Sequence, residues 1–443
     1  MSDAMLSGLF LPGRAGRAQL MRLDSAAILK RFFFCELALI RTQAGWLAGF
    51  APFEVKMAIP RFIWEDAQTA DALRGRVYEL RYPNRLIEVG DDAPLITIFE
   101  EARHAADPAT YLSGLGVLIE SLGNAYRSYL DVADDLGDGP TKRFLELALR
   151  EKKRQAEELS TLASAVPLRP GMQAHADRWA RAMRARLAAV GGLSLHTPAV
   201  DPHPQALPGA MPFTPAQVPG RDQRYHLNRF YWPDNVDPSY PYGEGIQLQL
   251  RSAVSHLNEV WAVDTAGLIL DAFADQLGWE FVVDASRWVF DESRHTRMGW
   301  TRLREWGFTP DELPLGTYIY DSARDQDPIY RMGMLHYFEA KNIGKKTKRA
   351  AAFASYGDAA SRHDMDFDWA DEGIHAAYGR RWLAALLKQR GMQEGAFDEI
   401  GLRCKELVAR TVAGATPHEI QDIRETADRL IAHARQLAAT AVS

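Results

Sequence analysis

The feature that most constrains this chain is a five-residue pattern that occurs twice, as Asp291-Glu292-Ser293-Arg294-His295 and as Asp371-Glu372-Gly373-Ile374-His375. Both copies lie in stretches of helical periodicity. On a helix, a Glu and the His three residues later share a face and can grip one metal ion together. One such pair arises easily by chance. Two, each preceded by a helix offering a carboxylate, make up the ligand set of a four-helix bundle that carries two metal ions.

The remaining ligands follow from that arrangement. Glu339, within Tyr337-Phe338-Glu339-Ala340, is the expected carboxylate of the third helix. The first helix must contribute Glu259 or Asp264; these are five positions apart and face nearly opposite sides, so only one can coordinate. Asp264 is the expected ligand, because Val260, Asp264, Leu268 and Asp271 fall on one stripe, and Glu259 is the alternative. Glu292, His295, Glu339, Glu372 and His375 complete the metal set and are also the expected catalytic residues. Four carboxylates offset two divalent ions, and oxygen-rich ligation with two imidazoles suits iron or manganese. Asp291, Asp368 and Asp371 stand close enough in sequence to fix the histidine tautomers.

Composition narrows the chemistry further. A net charge of -6 argues against a protein that coats nucleic acid. The two cysteines, Cys35 and Cys404, exclude a disulfide scaffold, a paired-cysteine zinc site and a cysteine-bound iron–sulfur cluster, and fit a reducing cytoplasm. Met1 to Leu20 is interrupted by Gly13, Arg14, Gly16 and Arg17, so it does not read as a secretory leader. No stretch approaches the roughly 18 apolar residues of a membrane span. No flavin or dinucleotide fingerprint occurs, so any electron donor must be external.

Periodicity predicts helices over most of the chain. Four precede residue 166, with a short strand expected at Leu95-Ile96-Thr97-Ile98-Phe99 and Pro52 and Pro60 as punctuation. Residues 167–245 are rich in proline yet carry Tyr225, Phe230, Tyr231, Trp232, Tyr240 and Tyr242, a combination that favours an ordered arm packed on the protein over a free linker. Helices return at Gln247–Leu277, Trp279–Trp306, Pro328–Asn342 and His363–Gln389. Two more follow, the last opened by a cap at Thr416-Pro417-His418-Glu419. The expected organisation is a degenerate bundle over 1–166, the arm over 167–245, a metal-binding bundle over 246–392 and C-terminal helices over 393–443.

The two helical halves also align with each other. Glu36 pairs with Glu259, and Ala44-Gly45 with Ala266-Gly267. Glu65 and Gln68 pair with Glu292 and His295, Glu120 with Glu339, and Glu151 and Arg154 with Glu372 and His375. In this register the first half keeps glutamates but puts Arg154 where a metal belongs. Lys341, Lys345, Lys346, Lys348 and Arg349 form a basic run after the third helix. It reads either as a holder for a substrate phosphate or carboxylate, or as a solvated helix end.

On these motifs the second half, from Ser252 to Lys388, resembles the ferritin-like di-iron carboxylate superfamily. Tyr337 to Asn342 and Asp371 to Trp382 look most similar to poorly characterised bacterial ferritin-like proteins. The resemblance implies an all-α chain with tandem ferritin-like four-helix bundles joined by a Pro-rich arm. It also implies a di-iron or iron–manganese centre that uses O2 to hydroxylate, N-oxygenate, desaturate or oxidatively cleave a small organic substrate. An aspartate at the first helix departs from the commoner glutamate, although small subunits of ribonucleotide reductase in the same superfamily share it. A reductase partner and a homodimer are compatible with this reading; nucleic acid and membrane are not expected partners. Iron storage and a non-catalytic helical scaffold are the alternatives.

Overall fold

The computed structural model describes residues 19–83, 87–167, 169–392 and 395–442. The stretch read above for leader character lies almost wholly outside these residues. Among them the only strands are β1 (His226–Leu227) and β2 (Pro314–Leu315), paired in parallel. The chain is all-α.

Six helices precede the irregular stretch: α1 (Arg22–Trp46), α2 (Phe53–Glu79), α3 (Ala93–Glu101), α4 (Pro108–Val132), α5 (Gly139–Ala165) and α6 (Met172–Ala189). The long helices α1, α2, α4 and α5 pack around one another, and α6 covers α4. Two expectations fail here for physical reasons. The Leu95–Phe99 segment is helical, because Leu95, Ile96, Ile98 and Phe99 bury one helical face and Pro94 sits in the first turn. Pro60 lies inside α2 and does not end it. The lost hydrogen bond and ring clash cost about 3 kcal/mol, and α2 offsets that by packing against both α1 and α9.

The second set comprises α7 (Ile246–Leu257), α8 (Val260–Leu277), α9 (Trp279–Glu305), α10 (Tyr318–Ser322), α11 (Pro328–Ser355) and α12 (Ala359–Gln389), then α13 (Ala396–Ala413) and α14 (Pro417–Val442). Here α8, α9, α11 and α12 surround the motif residues. Side chains start these helices as their sequences suggest: Asp327 accepts from Ile329 N and Asp358 from Ser361 N. Thr416 and Glu419 cap α14 reciprocally, at 2.8 and 3.2 Å. The helix expected over Gln247–Leu277 is broken at Asn258. Its amide donates to Val254 O and Pro314 O, and its Oδ1 accepts from Gly316 N, so the chain is tied sideways to the β2 loop.

The two sets share one hydrophobic core, joined through α1 against α8 and α2 against α9. Gly267 permits the first contact: a Cβ there would lie 2.9 Å from Leu47 and 3.0 Å from Ala44 O. The arm between the sets is packed, with Phe230 and Trp232 fully buried and Tyr225 and Tyr231 nearly so. Both cysteines are buried and free. No helix among the described residues is long and apolar enough to cross a membrane.

Candidate metal centre

Helix α9 brings Glu292 and His295 inward, α12 brings Glu372 and His375, and α11 brings Glu339. All five are buried, both histidines completely. The carboxylate from the first helix is Glu259, not Asp264. The break at Asn258 sets Glu259 just ahead of α8, with Oε2 3.3 Å from His295 Nδ1. Asp264 is turned to the other side of α8, where Lys56 Nζ (2.6 Å) and Arg221 Nη1 (2.7 Å) hold it. It ties α2, α8 and the arm together and is absent from the cluster. The stripe through Val260 and Asp264 is the face α8 turns toward that junction.

The imidazoles are aimed by the aspartate that opens the opposite motif. His295 Nε2 faces Asp371 Oδ2 at 3.3 Å, and His375 Nε2 faces Asp291 Oδ2 at 3.4 Å. Arg287 and Arg294 bind both aspartates and hold them in place. Each Nδ1 is thereby turned into the bundle. His375 Nδ1 lies 3.2 Å from Glu292 Oε1 and 3.9 Å from Glu339 Oε1. His295 Nδ1 lies 3.3 Å from Glu259 and 3.8 Å from Glu292. Glu292 thus faces both histidines, as a bridging ligand would.

Six buried atoms in this space have no hydrogen-bond partner: Glu259 Oε2, Glu292 Oε1, Glu339 Oε2, Glu372 Oε2, His295 Nδ1 and His375 Nδ1. Leaving even one such atom bare in a protein interior costs about 1–3 kcal/mol. Their spacing fits ions: the triads Glu259/Glu292/His295 and Glu292/Glu339/His375 each bring three ligand atoms within 4.8 Å of one another. Ligands about 2.1 Å from a shared ion stand that close together.

The buried groups shift one another's proton affinity. Burial works against a charged His375, but Asp291 and Glu292 raise it to about 9. His295 is likewise lifted despite burial, chiefly by Asp368. Burial and the facing carboxylates raise Glu339 strongly, and burial raises Glu372 to about 7. Trp288 Nε1 donates to Glu339 Oε1 at 2.9 Å and steadies that carboxylate.

Sequence reasoning missed two residues here and left a third unranked. Lys346 is buried on α11, two turns beyond Glu339, and its ammonium donates to Asp368 Oδ1 and, at 2.7 Å, to Glu372 Oε1. Asp368 lies one turn before Glu372 and also meets His256 Nε2 at 3.0 Å. The guanidinium of Arg302 contacts His256 Nδ1 at 2.6 Å and can only donate. His256 therefore carries its proton on Nε2 and donates to Asp368, which makes it a support and not a ligand. Gly299 allows this packing, since a Cβ there would lie 2.4 Å from Ala253 O on α7. A basic residue two turns beyond a motif helix's carboxylate is a signal the sequence does carry. It is hidden within the basic run, which lies inside α11 and not beyond its end.

A cavity of about 360 Å³ opens onto Glu259, Glu292, Glu339, Asp368 and Glu372. Tyr231 and Tyr242 of the arm, Trp261 of α8, Phe338 of α11 and Val408 and Val412 of α13 line its sides. The model of one protein family matches residues 173–428, which span α6, the arm, both motifs and part of α14. The chain belongs to that family, described as "Protein of unknown function (DUF455)". Every residue of the DUF455 cluster and its cavity lies inside the matched span, whereas α1 to α5 lie outside it. No curated protein and no solved structure matches the chain.

Proposed function

We propose that this DUF455 protein is a di-metal oxidase or oxygenase of ferritin-like ancestry, acting on a small organic substrate. The observation that carries the reading is the set of six unpartnered buried ligand atoms, four of them on carboxylates that line a cavity. Glu259, Glu292, His295, Glu339, Glu372 and His375 would hold the ions. Two iron ions, or iron with manganese, would supply reduction of O2 with electrons from an external donor. The chain's own contribution is positional. Asp291 and Asp371 keep the two Nδ1 atoms unprotonated and inward when metal is bound. Trp288 steadies Glu339, and Lys346 holds one oxygen of Glu372 while leaving the other free. Iron storage has less support, because the carboxylates face a cavity of about 360 Å³ with aromatic walls, a size suited to one small molecule.

The test is metal analysis of protein reconstituted anaerobically with Fe(II) or Mn(II), followed by O2 uptake on mixing with air. About two ions per chain and rapid O2 consumption are expected. Protein that holds no stoichiometric metal, or holds it without reacting with O2, would sink the oxidase reading.

A further inference from the structure

We propose that the cavity selects a small organic anion, a carboxylate or phosphate, held at the mouth by Arg251, Lys345 and Arg349 with its apolar body against Trp261 and Phe338. The inference rests on the di-metal reading and specifies the substrate class of that site.

Arg251 carries the argument. It is 7% exposed, donates from Nε to Asp234 at 2.9 Å, and leaves Nη1 with no acceptor at all. A buried guanidinium N–H facing a cavity without a partner is costly unless something else accepts from it. Tyr231 and Tyr242 stack beside it with ring centroids 5.5 and 5.0 Å away, and Arg349 lies 4.6 Å from the Tyr242 ring. Along α11, Lys341, Lys345 and Arg349 recur every four residues on the face that lines the cavity, and none makes an ion pair with any described residue. Like charges at that spacing repel. Burial, Arg349 and Lys341 together push the Lys345 ammonium down. Asp234 is the one carboxylate at this end. Lys346, by contrast, is already committed to Asp368 and Glu372.

The charge balance points the same way. The cavity is lined by six carboxylates and five cations, so two divalent ions would change its balance from one negative to three positive. An anion with an apolar body then meets cations at the mouth, aromatic side chains along the walls, and the metal ligands at the far end.

The test titrates the full-length, metal-loaded protein with phenylacetate, phenyl phosphate and neutral 2-phenylethanol, followed by calorimetry and tryptophan fluorescence. At least one anion should bind saturably and about tenfold or more tighter than the alcohol. Binding should weaken with added salt, and whichever anion is preferred assigns carboxylate or phosphate. Arg251→Met should weaken it about tenfold or more; if that variant misfolds, the more exposed Lys345→Met/Arg349→Met double variant should do the same with metal content unchanged. No saturable anion binding, equal binding of the alcohol, or a double variant that binds as well as the parent would overturn the inference. A protein that takes up metal but does not discriminate for anions fails this inference alone. One that binds anions through these residues yet takes up no metal fails the oxidase reading and supports the anion site.

Discussion

The two helical sets solve the same problem differently. In the first, Glu36 of α1 and Asp66 of α2 point into the bundle as Glu259 and Glu292 do in the second. Lys152 of α5 fills the space between them, its Nζ 2.7 and 2.6 Å from the two carboxylates. Tyr126 donates to Glu36 and stands on α4 where a glutamate would be needed. Gln155 Nε2 donates to Glu65 and Asp66, occupying the place of the second motif's histidine. An ammonium here does the electrostatic work for which the second set has ligand atoms with no partner. The lesson is that an inward carboxylate cluster is not in itself a metal site. What separates the two sets is how far the protein's own cation reaches: Lys152 joins both inward carboxylates of the first set, whereas Lys346 takes only Asp368 and one oxygen of Glu372 and leaves the other ligand atoms bare.

The largest effect expected from this contrast is on metal content. Glu292→Ala should reduce about two ions per chain to well under one, whereas Lys152→Met should leave the second-set metal untouched; equal losses in both variants, by elemental analysis, would erase the distinction. Next in size is stability. Lys152→Met leaves Glu36 and Asp66 buried without a counter-charge and should cost about 3–5 kcal/mol in urea denaturation. Asp264→Asn, which strands Lys56 and Arg221, should destabilise in the same direction with full metal content; a loss of metal would return Asp264 to the ligand set. A smaller effect is expected from Asp371→Asn, which should weaken metal binding about 10–100-fold while keeping its stoichiometry.

The last effect is a pH dependence. Burial is the main reason Glu36 rises from 4.5 to about 8, with Asp66 adding to the rise and Lys152 opposing it. The folded value exceeds the unfolded one, so the folded state binds more protons between them. This contribution to stability is fully present below pH 4.5 and is lost as pH rises through about 8. Denaturation midpoints should fall across that window, and Glu36→Gln should flatten the fall. An unchanged slope in the variant would assign the titration elsewhere.

Much of this was legible in the sequence. The all-α class and the five buried motif residues follow from spacing, because the pattern of acid pair and histidine survives any small error in helix ends. The first-helix ligand did not, since the stripe from Val260 to Asp271 lies wholly within α8 and carries Asp264 to Lys56 and Arg221, while Glu259 sits in the turn just ahead of that helix. The register of the first set also slipped by one. Glu65-Asp66 and Glu151-Lys152 each put two charged residues side by side, and a single step rotates a helical position by about 100°. The inward pairs are Asp66 with Thr69 and Lys152 with Gln155. Glu120 is exposed, and Arg154 is a half-exposed partner of Glu65. The aromatic residues of the arm did signal that it packs, although nothing in them says against which surface.

The parallel pairing of His226 with Pro314 and Leu227 with Leu315 has a consequence in time. During synthesis β1 leaves the ribosome long before its partner. His226 and Asn228 must also wait for Asp422 of the last helix, which they meet at 2.8 and 2.6 Å. The stretch of the arm around β1 can therefore settle only once nearly the whole chain has been made. Closing such sequence-distant contacts is slow. The helical groups would be expected to form first, leaving the pocket as the last part of the molecule to acquire its shape.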